Sequence, residues 1–458
     1  MRSASIPRVP GTFLLGNVGQ MKNDRIGFLV HVAQTYGDIA SLRLGAIPVV
    51  VLSAPELVQA MLVEHGDAFV KGFGLRIFAR PLLGNGLLLS EHDQHKRQRR
   101  MMAPPFMPKR IAAHADTIAR LTDRRVEQLG HRAEVDLAEE MMQLTFEIIG
   151  KTLFDTDVRG DTEEVGRAVT VAMQTFATQL FSALPLPPSV PTPTNLRGRA
   201  SVRQLDRVVY RLIRERRESG VDRGDLLSML LLARDEADGS AMSDVQVRDE
   251  VMTAMLAGHE TMANALAWSF HLLSQHPVER ARLEAELDLV LAGRTPTLSD
   301  LSQLPYTLQV FKEAMRLYPP AFIISRRATR AVALGPYAIA KGQLVAVNIT
   351  GMQRRAAYFE EPDRFDPERF SPTREKQQKR YAYLPFGGGA RVCIGNHFAL
   401  MEGQLALAHL AQHLRFDALP NAEPVQTEAL ITMRPRGGLP MRVSRRAPSP
   451  QARVAGLG

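Results

Sequence analysis

The spacing of apolar side chains changes character along this chain. Near the N-terminus it is mixed: residues Ile26–Tyr36 repeat at helical spacing, Ile39–Leu44 and Val49–Leu52 read as short strands, and a helix is expected from Pro55 to about His65. From about residue 95 to 320 the spacing is that of helices almost throughout. The longest uninterrupted stretch follows Ser243, a residue type suited to capping, and stops before Pro277. Its centre is apolar on nearly all sides, which predicts a helix that crosses the core. Strand-like runs return at Gln343–Asn348, Ala429–Met433 and Met441–Val443. The fold class is therefore mainly α with small segregated β-sheets. The proline-rich segment 184-LPLPPSVPTPTN-195 is short and flanked by helical patterns, so it reads as a loop and not a linker. Residues 1–458 read as a single domain, with about 1–20 as an N-terminal extension and 445–458 as a frayed tail. No internal repeat is visible.

Composition adds bounds. With 458 residues, 45% hydrophobic and 23% charged, the chain can bury a large core and enclose a cavity. No run of about 18 apolar residues occurs and the N-terminus has no signal-like apolar stretch, so a cytoplasmic protein without a membrane anchor is expected. One cysteine excludes an intramolecular disulfide. The net charge of +9 raises nucleic acid, anionic membrane or an acidic protein as partners. The arginines are scattered and aromatics make up only 6% of the chain, which argues against nucleic acid and leaves the acidic protein. The chain is expected to be a monomer.

The lone cysteine sits in 385-PFGGGARVCIGNHFALMEG-403, a glycine-rich loop ahead of an amphipathic helix. Such a loop lets backbone approach a flat ligand closely, and a helix N-terminus favours a thiolate. Taken alone, a cysteine here also fits a buried structural role. The loop resembles the haem-binding loop of the cytochromes P450 at Phe386, Gly387, Gly389, Arg391, Cys393 and Gly395. The resemblance implies that Cys393 is the axial thiolate on the iron of haem b, that Arg391 contacts a haem propionate, and that Phe386 packs beside the sulfur. Thiolate ligation pushes electron density to iron.

Further matches lie along the chain from roughly residue 30 to 440. The segment 257-AGHET-261, in the long apolar helix, is similar to the family's oxygen-activating segment, with Glu260 and Thr261 as its acid–alcohol pair and Ala257 beside the haem. On its own it is also compatible with Thr261 bonding back to a carbonyl and Glu260 on a solvated face, although a carboxylate amid apolar residues is costly without a partner. In 313-EAMR-316 and 367-PERF-370 the resemblance makes Glu313, Arg316 and Arg369 a structural triad bracing the cysteine loop. His95 and Arg99, one turn apart in 95-HKRQR-99, and Arg326 correspond to propionate contacts. The family commonly has His-Arg-Asp before its PERF-like motif. Here Gln353, Arg354 and Arg355 stand there, which leaves the local contacts open.

The resemblance implies a triangular helical prism enclosing haem and an enzyme that inserts one atom of O2 into a lipophilic small molecule. Its electrons, derived from NAD(P)H, would come from an external ferredoxin or flavodoxin and its reductase, with an acidic donor meeting Lys96, Arg97 and Arg100. Family members that only rearrange oxygenated substrates usually lack the acid–alcohol pair, and a haem sensor would need an output domain not seen here. Apolar positions expected to line a substrate cavity are Phe73, Phe78, Ala257, Ala321, Phe322, Ile323, Ile324, Leu430 and Ile431.

Overall fold

Helices of the middle and end of the chain pack around one long member. In chain order those that position the site are α1 (His92–Met102), α2 (Leu137–Phe154), α3 (Thr162–Leu180), α4 (Pro193–Ser219), α5 (Asp244–Gln275), α6 (Pro305–Leu317) and α7 (Asn396–His413). The computed structural model describes residues 4–155, 162–180, 186–236 and 238–446. The expected tail lies almost wholly outside the described residues, as do Leu184 and Pro185 of the proline-rich segment.

α5 begins where its sequence says it should. Ser243 Oγ accepts the Gln246 N–H at 3.3 Å while the Gln246 side chain accepts the Ser243 N–H at 2.9 Å, a reciprocal cap, and Pro277 opens the next helix. At 1.5 Å per residue, α5 spans about 48 Å. It touches α2, α4, α6 and α7, and only four positions from Val247 to Leu273 escape full burial. Contact with α2 is close because Gly258 has no side chain: a Cβ there would lie 2.6 Å from Ile149 Cδ1.

Strands form separate small sheets. β1 (Ile39–Leu44), β2 (Ile47–Leu52), β3 (Phe69–Lys71), β4 (Ile323–Ala328) and β5 (Leu344–Asn348) make one sheet in the order β1-β2-β5-β4-β3. β2 and β5 are parallel and the other neighbours antiparallel. β6 (Thr427–Ala429) and β7 (Met433–Pro435) form an antiparallel pair of their own. The run expected as one strand at Ala429–Met433 is thus largely the turn between two, closed by the Leu430 N–H on the Thr432 carbonyl at 3.1 Å. The helix expected to reach His65 is α-helical to Gln59 and then widens into a π-turn over Ala60–Glu64. The proline-rich loop ends three residues sooner than expected, because Thr192 caps α4 and Pro193 takes its first position.

One loop ties α5 to α1. Asp249 Oδ2 accepts the Asn85 N–H at 2.7 Å, Glu250 Oε2 accepts the Leu87 N–H at 2.8 Å, and Gln98 of α1 donates to the Asn85 carbonyl at 2.9 Å. Glu250 is fully buried, and burial pushes its carboxyl up to about 8, against the Leu87 N–H. The folded state therefore holds this proton more tightly than the unfolded chain, and stability falls as pH rises between about 4.5 and 8. Glu250→Gln keeps an acceptor for Leu87 and cannot ionise. Its Tm, measured by calorimetry across that window, should fall less with pH than that of the wild type, and parallel curves would contradict the assignment.

Candidate active site

Cys393 stands two residues ahead of Gly395, which caps the start of α7. The loop is folded back on itself: the Cys393 N–H donates to the Phe386 carbonyl at 2.9 Å and the Val392 N–H to the Gly389 carbonyl at 3.1 Å. Gly387 and Gly389 have φ of +69° and +67°, and a Cβ on Gly389 would collide with the Leu62 carbonyl in the π-turn. The Cys393 side chain is exposed in area yet surrounded by protein mass, as at the bottom of an opening. Burial pushes its thiol up, while the Gly395 N–H and the Arg99 guanidinium pull it down. The N–H at the helix start thus favours the thiolate as expected, with burial opposing it, and a metal cation would add to the favourable side.

α5 offers a matching face. Its incompletely buried positions are Ala254, Ala257, Gly258 and Thr261, and the i, i+3, i+4, i+7 spacing makes them one stripe. Ala257 is the exposed one, at mid-helix. Phe386 and Ile394 pack into the same core cluster as Ala254. Thr261 Oγ donates to the Ala257 carbonyl at 2.8 Å, so the back-bonded arrangement holds while the residue still lies on the open stripe. Glu260 is buried and turned aside: its Oε1 accepts the Thr432 hydroxyl at 2.6 Å. Burial pushes its carboxyl up, opposed by the Thr432 hydroxyl and the charge of Arg434. α5 remains a continuous helix through this pair.

Cations crowd one side of the opening. His95 and Arg326 are buried, Arg99 donates from Nη1 to the Val392 carbonyl at 2.8 Å, and Arg391 pairs with Glu91 while its Nη1 is buried without a partner. Lys71, which the sequence reading missed, is buried with them and stands directly across from Arg326 in the β3–β4 register. Like charges opposite one another in a sheet are destabilising. Burial, then Arg326 and Arg391, push the Lys71 ammonium well down; burial and Arg391 push Arg326 down to about 10; burial and the surrounding cations push His95 down to about 4. Glu91 is the acid that counters Lys71, Arg326 and Arg391. The set fits a ligand carrying more than one anionic arm.

Behind the loop, Glu313 and Arg316 are fully buried and bonded through two contacts, at 2.6 and 2.8 Å, with Arg369 Nε at 3.3 Å from the same carboxylate. Arg316 also donates to the Gln353 and Pro362 carbonyls at 2.8 and 2.7 Å. Gln353 resolves the open point in the sequence: its Nε2 donates to the Arg316 carbonyl at 2.9 Å and its Oε1 accepts the Leu384 N–H at 2.9 Å, joining α6 to the strand of chain that enters the cysteine loop. Arg354 pairs with Asp363 and Arg355 with Asp38.

The expected cavity wall is only partly found. Phe322 is 1% exposed and sits in a core cluster with Leu29 and Met433, so it lines no opening. Ala321, Ile323, Ile324 and Phe78 are half-buried, and Ile324 Cδ1 comes within 3.6 Å of where a Cβ on Gly387 would be. Leu430 and Ile431 line a side pocket with Glu260. The Phe73 side chain falls outside the described residues. Arg97 is not free on the surface as expected: it donates to Asp235 at 2.5 Å and to Ser240 at 2.6 Å.

Residues 7–440 match the family model described as Cytochrome P450. The chain is 37% identical to the cyclooctatin synthase of Streptomyces melanosporofaciens, over 90% of each chain. It is 35% identical to the pentalenene oxygenase of Streptomyces avermitilis, over 95% of this chain and 96% of that one. It is also 35% identical to the cyclooctat-9-en-7-ol 5-monooxygenase of S. melanosporofaciens, over 90% and 89%. Among solved structures, the crystal structure of the cytochrome P450DA heme domain superposes with a TM-score of 0.89 at 27% identity, covering 98% of this chain and 99% of that one.

The crowding of cations makes a prediction about Lys71. Lys71→Met removes the like charge opposite Arg326 and should leave the folded chain at least as stable. A charge-assisted hydrogen bond to an anionic arm is worth about 1.5–3 kcal/mol, so release of haem to a scavenging acceptor should be faster by roughly tenfold or more. An unchanged release rate would take Lys71 out of the binding set.

Proposed function

The chain belongs to the cytochrome P450 family and is a monooxygenase of it, and from that premise we propose that it oxygenates a cyclic, terpene-like hydrocarbon or alcohol with electrons from an external acidic ferredoxin or flavodoxin. The observation that carries the reading is the single cysteine, exposed in a folded-back loop just ahead of α7, together with a stripe of small, incompletely buried residues on the otherwise buried α5, the helix against which α7 packs. The substrate class is supported by the names of the relatives, pentalenene oxygenase and cyclooctat-9-en-7-ol 5-monooxygenase, and by the apolar surroundings of the stripe.

The residues present fit haem b. Cys393 would hold its iron, and His95, Arg99, Arg326 and Arg391, with Lys71, would hold its propionates. Bound there, haem supplies the iron at which dioxygen is activated, with the thiolate donating electron density. The chain's own part is positioning. Glu313, Arg316, Arg369 and Gln353 brace the loop that carries the sulfur. Ala254 and Ala257 keep the open stripe of α5 small and apolar, which would leave space for a substrate beside the bound group, while Gly258 lets α5 pack closely on α2. Thr261 presents a hydroxyl on the same stripe, and Glu260 supplies the ionisable group of a proton relay, the two acting from different faces of α5.

Electron supply follows from charge. Lys96 and Arg100, 71% and 53% exposed and paired with Asp93 and Asp235, lie on the α1 surface, and Lys109 and Arg110 farther along the chain are exposed as well. An acidic donor would be steered there, and screening over about 8 Å at physiological salt would slow its approach. No helix among the described residues is long and apolar enough to cross a membrane. A cytoplasmic monomer served by diffusing donors is the arrangement we favour.

The test is turnover of a cyclic terpene-like substrate under labelled dioxygen with NAD(P)H, a reductase and an acidic ferredoxin. One labelled oxygen should enter the product, and first-electron transfer should slow as ionic strength rises. Thr261→Ala should retain haem and the substrate-induced spin shift but divert reducing equivalents to hydrogen peroxide. Glu260→Gln should slow turnover by about a hundredfold. Product without label from dioxygen would overturn the activity, and wild-type coupling in Thr261→Ala would overturn the relay.

A further inference from the structure

Glu260 does not face the stripe that carries Thr261. Its Oε1 takes the Thr432 hydroxyl at 2.6 Å, and Thr432 Oγ itself accepts Asn264 Nδ2 at 3.0 Å. Asn264 is one turn beyond Glu260 on α5, so the carboxyl, the hydroxyl and the amide form a closed chain between α5 and the β6–β7 turn. All three side chains are buried. The turn is fixed in place as well, because Trp268 Nε1 donates to the Met433 carbonyl at 3.2 Å.

On the far side of the carboxyl lies a pocket of about 30 Å³, whose lining includes Met142, Thr170, Gln174, His259, Glu260 and Arg434. That is room for about two water molecules at ~10–15 Å³ each. Thr170 and Gln174, from α3, are exposed at its rim, while His259 and Glu260 form its buried end. Ala254, Ala257, Gly258 and Thr261 take no part in its lining. The charged groups around it are accounted for. Arg434 is committed to Glu428 at 2.7 Å and acts on Glu260 only through its charge, and the His259 ring, bonded to the Met255 carbonyl, is pushed down to about 4 by burial and stays neutral.

We propose that Thr432 is a positioning residue that holds the Glu260 carboxyl at the inner end of this pocket, making the flank between α3 and the β6–β7 turn the route by which solvent protons enter the cleft. The inference rests on the relay reading given above. In each passage Glu260 gives its proton towards the Thr261 side and recovers one from water in the pocket. The net change is one proton moved inward, and nothing is oxidised or reduced in the transfer. Two faces of one helix, about 100° apart, are thereby linked by a carboxyl that must leave Thr432 to deliver, and Thr432 returns it to the solvent side.

The test uses the holoenzyme and three variants beside Glu260→Gln. Thr432→Val preserves shape and removes the donor, Thr432→Ser restores a donor, and Gln174→Phe narrows the exposed rim. The protonated Glu260 carboxyl is identified in infrared difference spectra as the band lost in Glu260→Gln. In Thr432→Val that band should move to higher frequency and its apparent pKa should rise. Turnover should fall roughly tenfold with a larger solvent isotope effect and unchanged KM, and Thr432→Ser should recover all of these. Gln174→Phe should slow turnover and leave the band in place. A wild-type band and pKa in Thr432→Val would overturn the positioning role, and wild-type turnover and isotope effect in Gln174→Phe would overturn the route. Wild-type rate and coupling in Glu260→Gln would instead remove the relay reading itself, which separates the two failures.

Discussion

Positive charge buried without its full complement of counterions governs this architecture. Lys71 and Arg326 are brought face to face by strand register, Arg391 and Arg99 arrive from the cysteine loop and from α1, and Glu91 is the acid that answers Lys71, Arg326 and Arg391. Desolvating such a set is costly unless an anion joins it. The same opening holds a thiol that burial pushes up, an effect that a cation bound to its sulfur would offset. The cations at the rim and the thiol at the base both suit one flat group that carries iron at its centre and anionic arms at its edge. The folded chain is thus organised around a charge pattern that its cofactor completes.

The supporting structure serves that pattern. The Glu313–Arg316–Arg369 set has no solvent exposure to speak of and reaches carbonyls on several turns of coil, so it fixes segments that have no regular secondary structure of their own. Gln353 extends the brace to the entrance of the cysteine loop through the Leu384 N–H. Asp249 and Glu250 do the same on the other side, holding by its backbone the loop that leads into α1. Breaking a buried network of this kind leaves uncompensated charge, which is why the positions carry charged or amide side chains with defined partners and not simple packing.

Much of this was legible in the sequence, and the reasons differ by element. α5 could be bounded because Ser243 and Pro277 act locally, through a cap and a missing N–H. The cysteine loop could be read because its glycines meet steric demands that few other residues satisfy, as Gly389 against the Leu62 carbonyl illustrates. Lys71 could not, because a lysine in a three-residue strand acquires its meaning only from the strand register that sets it opposite Arg326, more than 250 positions away. Thr432 was hidden for a related reason: the short, largely apolar 429–433 run reads as one strand, and only the tertiary fold turns it into a hairpin tip bonded to Glu260. Phe322 was misplaced because apolar character does not tell a cavity wall from the core behind it.

The central claim is that Cys393, the one cysteine, binds haem iron through its sulfur. The most direct measurement is the absorption spectrum of the reduced, carbon-monoxide-bound protein, taken for the wild type and for Cys393→Ser. The account predicts a thiolate-type Soret band in the wild type and its disappearance in the variant, whether or not haem is retained. A wild-type spectrum of the imidazole-ligated type, or a thiolate-type band that survives in Cys393→Ser, would contradict it.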